Sequence, residues 1–173
     1  MDIEHLKNSI RNIPDYPKPG IQFKDITPIL QDPNLFGYVI EKFFTEYKNK
    51  KIDIIVGIES RGFIFAAPLA LKLGCSLAIA RKPGKLPYET VSAEYSLEYG
   101  VDALELHTDS IKKGDRILII DDLLATGGTA KAAGELVEKL EGNIVSFSFL
   151  IKLLDLKGEK LLTEDKVFAL IEL

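Results

Sequence analysis

The chain has 173 residues and 46% hydrophobic content, enough for one well-buried core and short for two, so a single domain spanning 1–173 is expected. A formal net charge of -4 with a pI near 5.3 argues against a nucleic-acid partner, because coating phosphates needs a broad excess of Lys and Arg. No charged-then-apolar leader opens the sequence, and its most apolar stretch, GFIFAAPLAL, is too short to span a bilayer and contains Pro68. A soluble cytoplasmic protein with no membrane partner is therefore expected. The single cysteine, Cys75, cannot form an internal disulfide, fits a reducing compartment and is expected to be buried and inert.

In chain order, the segment YPKPGIQFKDITP (16–28) follows no sheet pattern, and residues 34–48 carry helical spacing. IDIIVGI (52–58) reads as a strand, FIFAAPLALKLG (63–74) as a helix and LAIAR (77–81) as a second strand. The stretch from 82 to 107 breaks the alternation and reads as a loop and hairpin. RILIID (116–121), a helix over 129–142 and IVSFSFLI (144–151) resume it, and VFALIEL supplies a last strand. In the later helix Ala132, Ala133, Leu136, Val137 and Leu140 form one apolar stripe, and Gly74 and Gly142 stand where C-terminal stops belong.

Strands apolar on both faces need cover on both sides. The fold class is therefore α/β: a doubly wound, mainly parallel central sheet flanked by helices, with a small N-terminal hood (1–33) and a flexible loop and hairpin (83–107). In such sheets ligands bind at the carboxyl ends of the strands, which places the chemistry just after 58, 82 and 121.

At 117–130 the chain reads ILIIDDLLATGGTA. Thr126, Gly127, Gly128 and Thr129 lie between a strand and a helix, so free amides, two hydroxyls and the positive end of the helix dipole converge there. Neither G-x-x-x-x-G-K-[ST] nor G-x-G-x-x-G occurs, which leaves a cradle for one monophosphate. Asp121 and Asp122 would repel that phosphate on contact, but carboxylates accept hydrogen bonds from sugar hydroxyls and from Mg²⁺-bound water. The pair reads as a ribose clamp beside a 5-phosphate.

This stretch resembles the phosphoribosyl-diphosphate (PRPP) motif of the type I phosphoribosyltransferase family, and its DDLLATGGT wording is similar to that of the adenine-specific members. The resemblance implies that Asp121 and Asp122 engage the ribose hydroxyls and that Ala125, Thr126, Gly127, Gly128 and Thr129 hold the 5-phosphate. GIESRGF, with Arg61 in the turn and Gly62 permitting close backbone approach, is similar to the family's pyrophosphate loop. That likeness implies a non-proline cis peptide between Glu59 and Ser60. ARKPGKLP places Arg81, Lys82 and Lys85 just beyond a strand end; Lys82 alone reads as a solvated lysine, whereas the cluster resembles the basic stretch that meets pyrophosphate, sometimes across a dimer interface.

PGIQFKDITP is similar to the family's hood, in which an aromatic and a leucine sandwich adenine; these map to Phe23 and Leu123. Gln22 and Lys24 would then contribute main chain to the adenine edge, and Lys24 stands where some members carry arginine. SAEYSLEYG resembles the catalytic loop, whose glutamate lies near the purine imidazole ring; that is Glu98, with Tyr99 beside it. His5 and His107 lack metal-ligand spacing and receive no role.

Together these likenesses imply transfer of the 5-phosphoribosyl group from PRPP to adenine, giving AMP and pyrophosphate, in a homodimer. Arg61, with Glu98 and Tyr99, is expected to serve catalysis. Mg²⁺ would be held mainly by substrate and water, with no dedicated protein ligands. Two alternatives stay open at this point: a phosphoribosyltransferase for hypoxanthine, guanine or xanthine, and a non-catalytic PRPP-binding regulator.

Overall fold

The computed structural model describes every residue except Met1, Glu98, Tyr99, Glu164 and Asp165. Helix α1 (Ile3–Asn8) starts at Asp2, whose carboxylate accepts the His5 amide at 2.8 Å, a side-chain cap for one of the orphan N–H groups of a helix start. Strands β1 (Arg11–Pro14) and β2 (Gln22–Asp25) follow as an antiparallel pair with Ile13 opposite Phe23. This corrects the expectation that the hood follows no sheet logic. The strands are four residues each and β1 is mostly exposed, so neither carries the alternation that marks a half-buried strand. Helix α2 (Thr27–Gln31) and the longer α3 (Pro33–Tyr47) come next. Asp32 accepts the Asn34 and Leu35 amides at 2.8 and 3.3 Å and Pro33 fills the first turn, the usual chemistry of a helix start.

The remaining elements are β3 (Ile54–Ile58), α4 (Gly62–Leu73), β4 (Ser76–Ala80), the antiparallel pair β5 (Thr90–Leu97) and β6 (Gly100–His107), β7 (Arg116–Leu124), α5 (Gly128–Lys139), β8 (Asn143–Lys152) and β9 (Val167–Glu172). Two short 3-10 turns, Leu154–Leu156 and Gly158–Leu161, link the last two strands. The central sheet has five parallel strands in the order β4-β3-β7-β8-β9. Alternation along the strands divides the core. Ile54, Val56, Ile58, Ile117 and Ile119 pack with Ala133, Leu136 and Val137 of α5, while Ile55, Leu118 and Ile120 pack with residues of α3 and α4 such as Phe43 and Phe65. Full burial of each Ile, Leu, Val or Phe side chain among these contributes about 1.5–3 kcal/mol. This two-sided cover is what the apolar strands demanded.

Several boundaries differ from expectation. Strand β7 runs on through Asp121 and Asp122 to Leu124, with Leu123 opposite Ile151 and Leu124 opposite Lys152; pairing with β8 carries two carboxylates that propensity alone would put in a turn. Gly74 ends α4 in the left-handed conformation, φ 70°, as expected. Gly142 does not play that part for α5. Glu141 takes the positive φ of 60°, and Gly142 is needed for space, since a Cβ there would lie 2.9 Å from Val137 Cγ1 and 3.0 Å from Ile111 Cγ2. Cys75 is half-buried rather than buried, with burial pushing its thiol pKa up.

Candidate functional site

Three neighbouring strands, β4, β3 and β7, deliver the predicted phosphate- and ribose-binding residues to the carboxyl-terminal end of the sheet. Strand β3 ends at Ile58 and leads through a cis Glu59–Ser60 peptide into Arg61 and Gly62. A Cβ at Gly62 would lie 2.6 Å from the Ile120 carbonyl oxygen and 3.2 Å from the Asp121 Cα, so only glycine lets this loop rest on the β7 backbone. That approach brings Arg61 Nε to 3.0 Å from Asp122 Oδ2. Asp122 is 3% exposed, and its Oδ2 has no aligned hydrogen bond, so the contact is an ion pair rather than a directed bond. The Arg61 guanidinium also lies over the Phe23 ring, 5.1 Å from its centroid. Arg61 thus links the hood to the acidic pair.

Asp122 is buried and Asp121 half-buried, and packing two carboxylates together there has a cost. Burial, then the charge of Asp122 beside it, push the Asp121 carboxyl well above the ordinary carboxylate range; its Oδ1 accepts the Asp122 amide at 2.8 Å. Burial raises Asp122 as well, against the opposing charge of Arg61. Both line a cavity of about 190 Å³ together with Arg61, Ala125, Thr126 and Thr129. At its other wall Gly127 stands at the start of α5 with φ 87° and no side chain caps the helix. The first amides of α5 and its positive dipole end are therefore available to an anion.

Beyond β4 the basic cluster gathers around a carboxylate. Glu59 accepts the Lys82 amide at 2.8 Å, pairs with Arg81 at 3.3 Å and pairs with Lys85. Burial works to raise the Glu59 carboxyl, but the Lys85 hydrogen bond and the other partners hold it below the usual glutamate range. Lys82 turns away from this group. Its Nζ donates to Tyr95 Oη and Asp102 on the β5–β6 pair, and that pair is tied back to β4's end by the Arg81–Glu105 bridge. Of the expected pyrophosphate contacts, Arg81 and Lys85 meet at Glu59, whereas the Lys82 head group lies with the hairpin.

In the hood, Phe23 is half-buried with the edge of Tyr16 against it at 5.1 Å between centroids. Gln22 is exposed, and Lys24 Nζ donates to Asn12 Oδ1 at 2.6 Å across the β1–β2 ladder. Leu123 is half-buried and packs with the α3/α4 side of the core. Glu98 and Tyr99 lie outside the described residues. A larger open groove of about 570 Å³ runs along α5 past Glu135, Phe147 and Leu162 and contains none of the predicted site residues.

Sequence reasoning missed Gly158. It is buried beneath the 125–127 turn, where a Cβ would lie 2.1 Å from the Ala125 carbonyl oxygen. Nothing local in LDLKGEKL distinguishes that glycine from an ordinary turn glycine. Missed too were Tyr95 and Asp102 as partners of Lys82, a pairing set by the hairpin's register.

Residues 26–171 match the family model described as a phosphoribosyl transferase domain. The chain belongs to the phosphoribosyltransferase family. It is 57% identical to the adenine phosphoribosyltransferase of Halothermothrix orenii, over 96% of this chain and 98% of that protein. The solved adenine phosphoribosyltransferase of Thermoanaerobacter pseudethanolicus superposes with a TM-score of 0.96 at 50% identity, covering 99% of this chain and all of that one. The enzyme of Saccharomyces cerevisiae, solved in complex with adenine and an imino-altritol bisphosphate, gives a TM-score of 0.93 at 43% identity over 98% of both chains. Among the described residues no helix is long and apolar enough to cross a membrane.

Proposed function

We propose that this phosphoribosyltransferase transfers the 5-phosphoribosyl group of PRPP to adenine, releasing AMP and pyrophosphate in purine salvage. One observation carries the assignment of roles: Arg61 sits between Asp122 of the acidic pair and the hood aromatic, with an uncapped helix start on one side and a basic cluster on the other. A PRPP molecule needs those features in that order. The 5-phosphate would take the 125–129 turn, the ribose hydroxyls would donate to Asp121 and Asp122, and the diphosphate would exchange its charge for the carboxylates now paired with Arg61, Arg81 and Lys85. Glu59 and Ser60 would present the loop, and Phe23 with Leu123 would flank adenine while Gln22 and Lys24 offer main chain.

In the reaction N9 of adenine bonds to the anomeric carbon as the bond from that carbon to the diphosphate oxygen breaks, the bonding pair leaving with pyrophosphate. Positive charge grows on the anomeric carbon and negative charge on the leaving oxygens, where fixed cations lower the barrier. Glu98 takes up the N9 proton, with Tyr99 beside it; this part rests on the sequence alone. Mg²⁺ would bind through substrate phosphates and retained waters, and Asp121 and Asp122 on the cavity wall are acceptors for those waters. The ion would supply neutralisation of the diphosphate charge.

A single domain acting as a homodimer in the cytoplasm completes the proposal. Leu71 is 86% exposed on α4, and Leu77 and Ile79 are exposed on the edge strand β4, an apolar face suited to a second copy. The test is the initial rate of pyrophosphate release from Mg²⁺ and PRPP with adenine, hypoxanthine, guanine or xanthine supplied singly. Adenine-dependent release with AMP recovered supports the proposal; preference for another base, or PRPP binding with no turnover, rejects it.

A further inference from the structure

The turn at 125–127 has no side chain of its own to fix it. Gly127 is in the left-handed region at φ 87°, the start of α5 carries no side-chain cap, and Thr126 is exposed. What lies beneath is a second piece of backbone. A Cβ on Gly127 would fall 2.3 Å from the Gly158 carbonyl oxygen, and a Cβ on Gly158 would fall 2.1 Å from the Ala125 carbonyl oxygen and 2.8 Å from the Gly127 nitrogen. The two glycines are in face-to-face contact, and neither position has room for one methyl group.

The segment carrying Gly158 is itself anchored. Leu153 N donates to Leu124 O at 3.0 Å, one residue before the turn begins, and Leu154 N donates to Leu173 O at 2.8 Å. Lys157 takes a positive φ of 51°, which turns the chain into the 3-10 turn Gly158–Leu161, and Leu162 packs against the α5 side of the core. The turn is thus held from below by a strut fastened at both ends.

We infer that Gly158 is a positioning residue for the phosphate end of the substrate: by lying flush under Ala125–Gly127 it fixes the direction in which the amides of the turn point. The inference rests on the assignment of that turn to the 5-phosphate. Amides aimed at an anion lose their effect when shifted by a fraction of an ångström, so a methyl at 158 acts on the phosphate subsite without touching ligand. The pyrophosphate subsite, built from Arg61 after β3 and from Arg81 and Lys85 after β4, shares no backbone with the strut.

Calorimetry of Gly158→Ala with two probes, ribose 5-phosphate and Mg²⁺-pyrophosphate, tests this. Ribose 5-phosphate affinity is expected to fall about tenfold or more, the loss of one hydrogen bond to a charged group, while pyrophosphate affinity holds; a merely structural role would weaken both alike. Thr129→Val is the control. If it weakens ribose 5-phosphate and Gly158→Ala does not, the inference fails and the assignment of the turn survives. If Thr129→Val changes nothing, the assignment fails and takes the inference with it. Should Gly158→Ala not fold, hydrogen exchange of the wild-type chain decides: protection of amides 153–162 by ribose 5-phosphate but not by pyrophosphate supports the strut, and equal protection by both overturns it.

Discussion

Arg61 Nε lies 3.0 Å from Asp122 Oδ2, joining the loop after β3 to the end of β7. The cation of the loop thus faces the carboxylate of the strand. Arg61→Ala would leave a buried carboxylate with nothing opposite, at a cost of about 1–3 kcal/mol, toward the lower end because the Arg61 side chain is 37% exposed. Asp122→Asn added to it is expected to restore part of that loss. Denaturant melts of the two single variants and the double variant check this, and strictly additive effects would show that the pair is uncoupled.

Glu59 holds Arg81 and Lys85 together, and its carboxyl lies below the usual glutamate range despite burial. A lowered folded pKa means that the ionised form is favoured by folding. Its contribution is present above the ordinary glutamate value near 4.3 and is lost as pH falls through the folded value. Glu59→Gln is expected to be about 1 kcal/mol less stable than wild type at neutral pH, with the two converging in acid. Melting curves from pH 7 down to about 3 measure it; a difference independent of pH contradicts the ion-pair account.

Lys82 is withheld from the cluster by Tyr95 and Asp102, and Asp102 is held below its ordinary pKa chiefly by the Lys82 hydrogen bond. Removing the competing charge with Asp102→Asn should free the ammonium and tighten pyrophosphate by roughly two- to fivefold, the size of a partly exposed ion pair. Product inhibition by pyrophosphate is the measurement, and weaker inhibition than wild type speaks against a competing role.

Glu98→Gln should lower turnover more than PRPP affinity, because a proton acceptor acts in the transition state and adds little to ground-state binding. Unchanged turnover when chemistry limits the rate removes Glu98 from the mechanism.

The parallel sheet was legible because its strands are apolar on both faces, and ILIIDDLLATGGTA marked a carboxylate pair and a glycine turn between one strand and the next helix. The hood ladder was not. Arg11–Pro14 and Gln22–Asp25 are held by register and by the 2.8 Å Arg11–Asp25 ion pair, and short exposed strands leave no periodic trace. Gly142 read as a helix stop from its position, yet Glu141 carries the positive φ and the glycine answers to Val137 and Ile111 packing from elsewhere. Gly158 is the same case at the site: its reason for being glycine lies about thirty residues away in sequence, at Gly127. Local chemistry announces itself in local sequence; a missing side chain demanded by a distant backbone does not.

Asp121 offers the sharpest opposition of stability and function. Burial and the neighbouring Asp122 raise its carboxyl well above the ordinary value, so folding favours the protonated form. The associated stability is fully present below the unfolded value near 3.9 and is lost as pH rises through the folded value. Asp121→Asn cannot ionise. Its melting temperature should therefore gain on wild type as pH rises above about 4, the advantage levelling off once wild-type Asp121 is ionised. The same substitution trades one acceptor oxygen for an amide donor, so PRPP affinity should fall even as the protein becomes more stable. Paired melts from pH 4 to 8 with PRPP titrations at neutral pH test both halves. Parallel melting curves would show that Asp121 carries no burial penalty, and undiminished PRPP affinity would remove it from the ribose clamp.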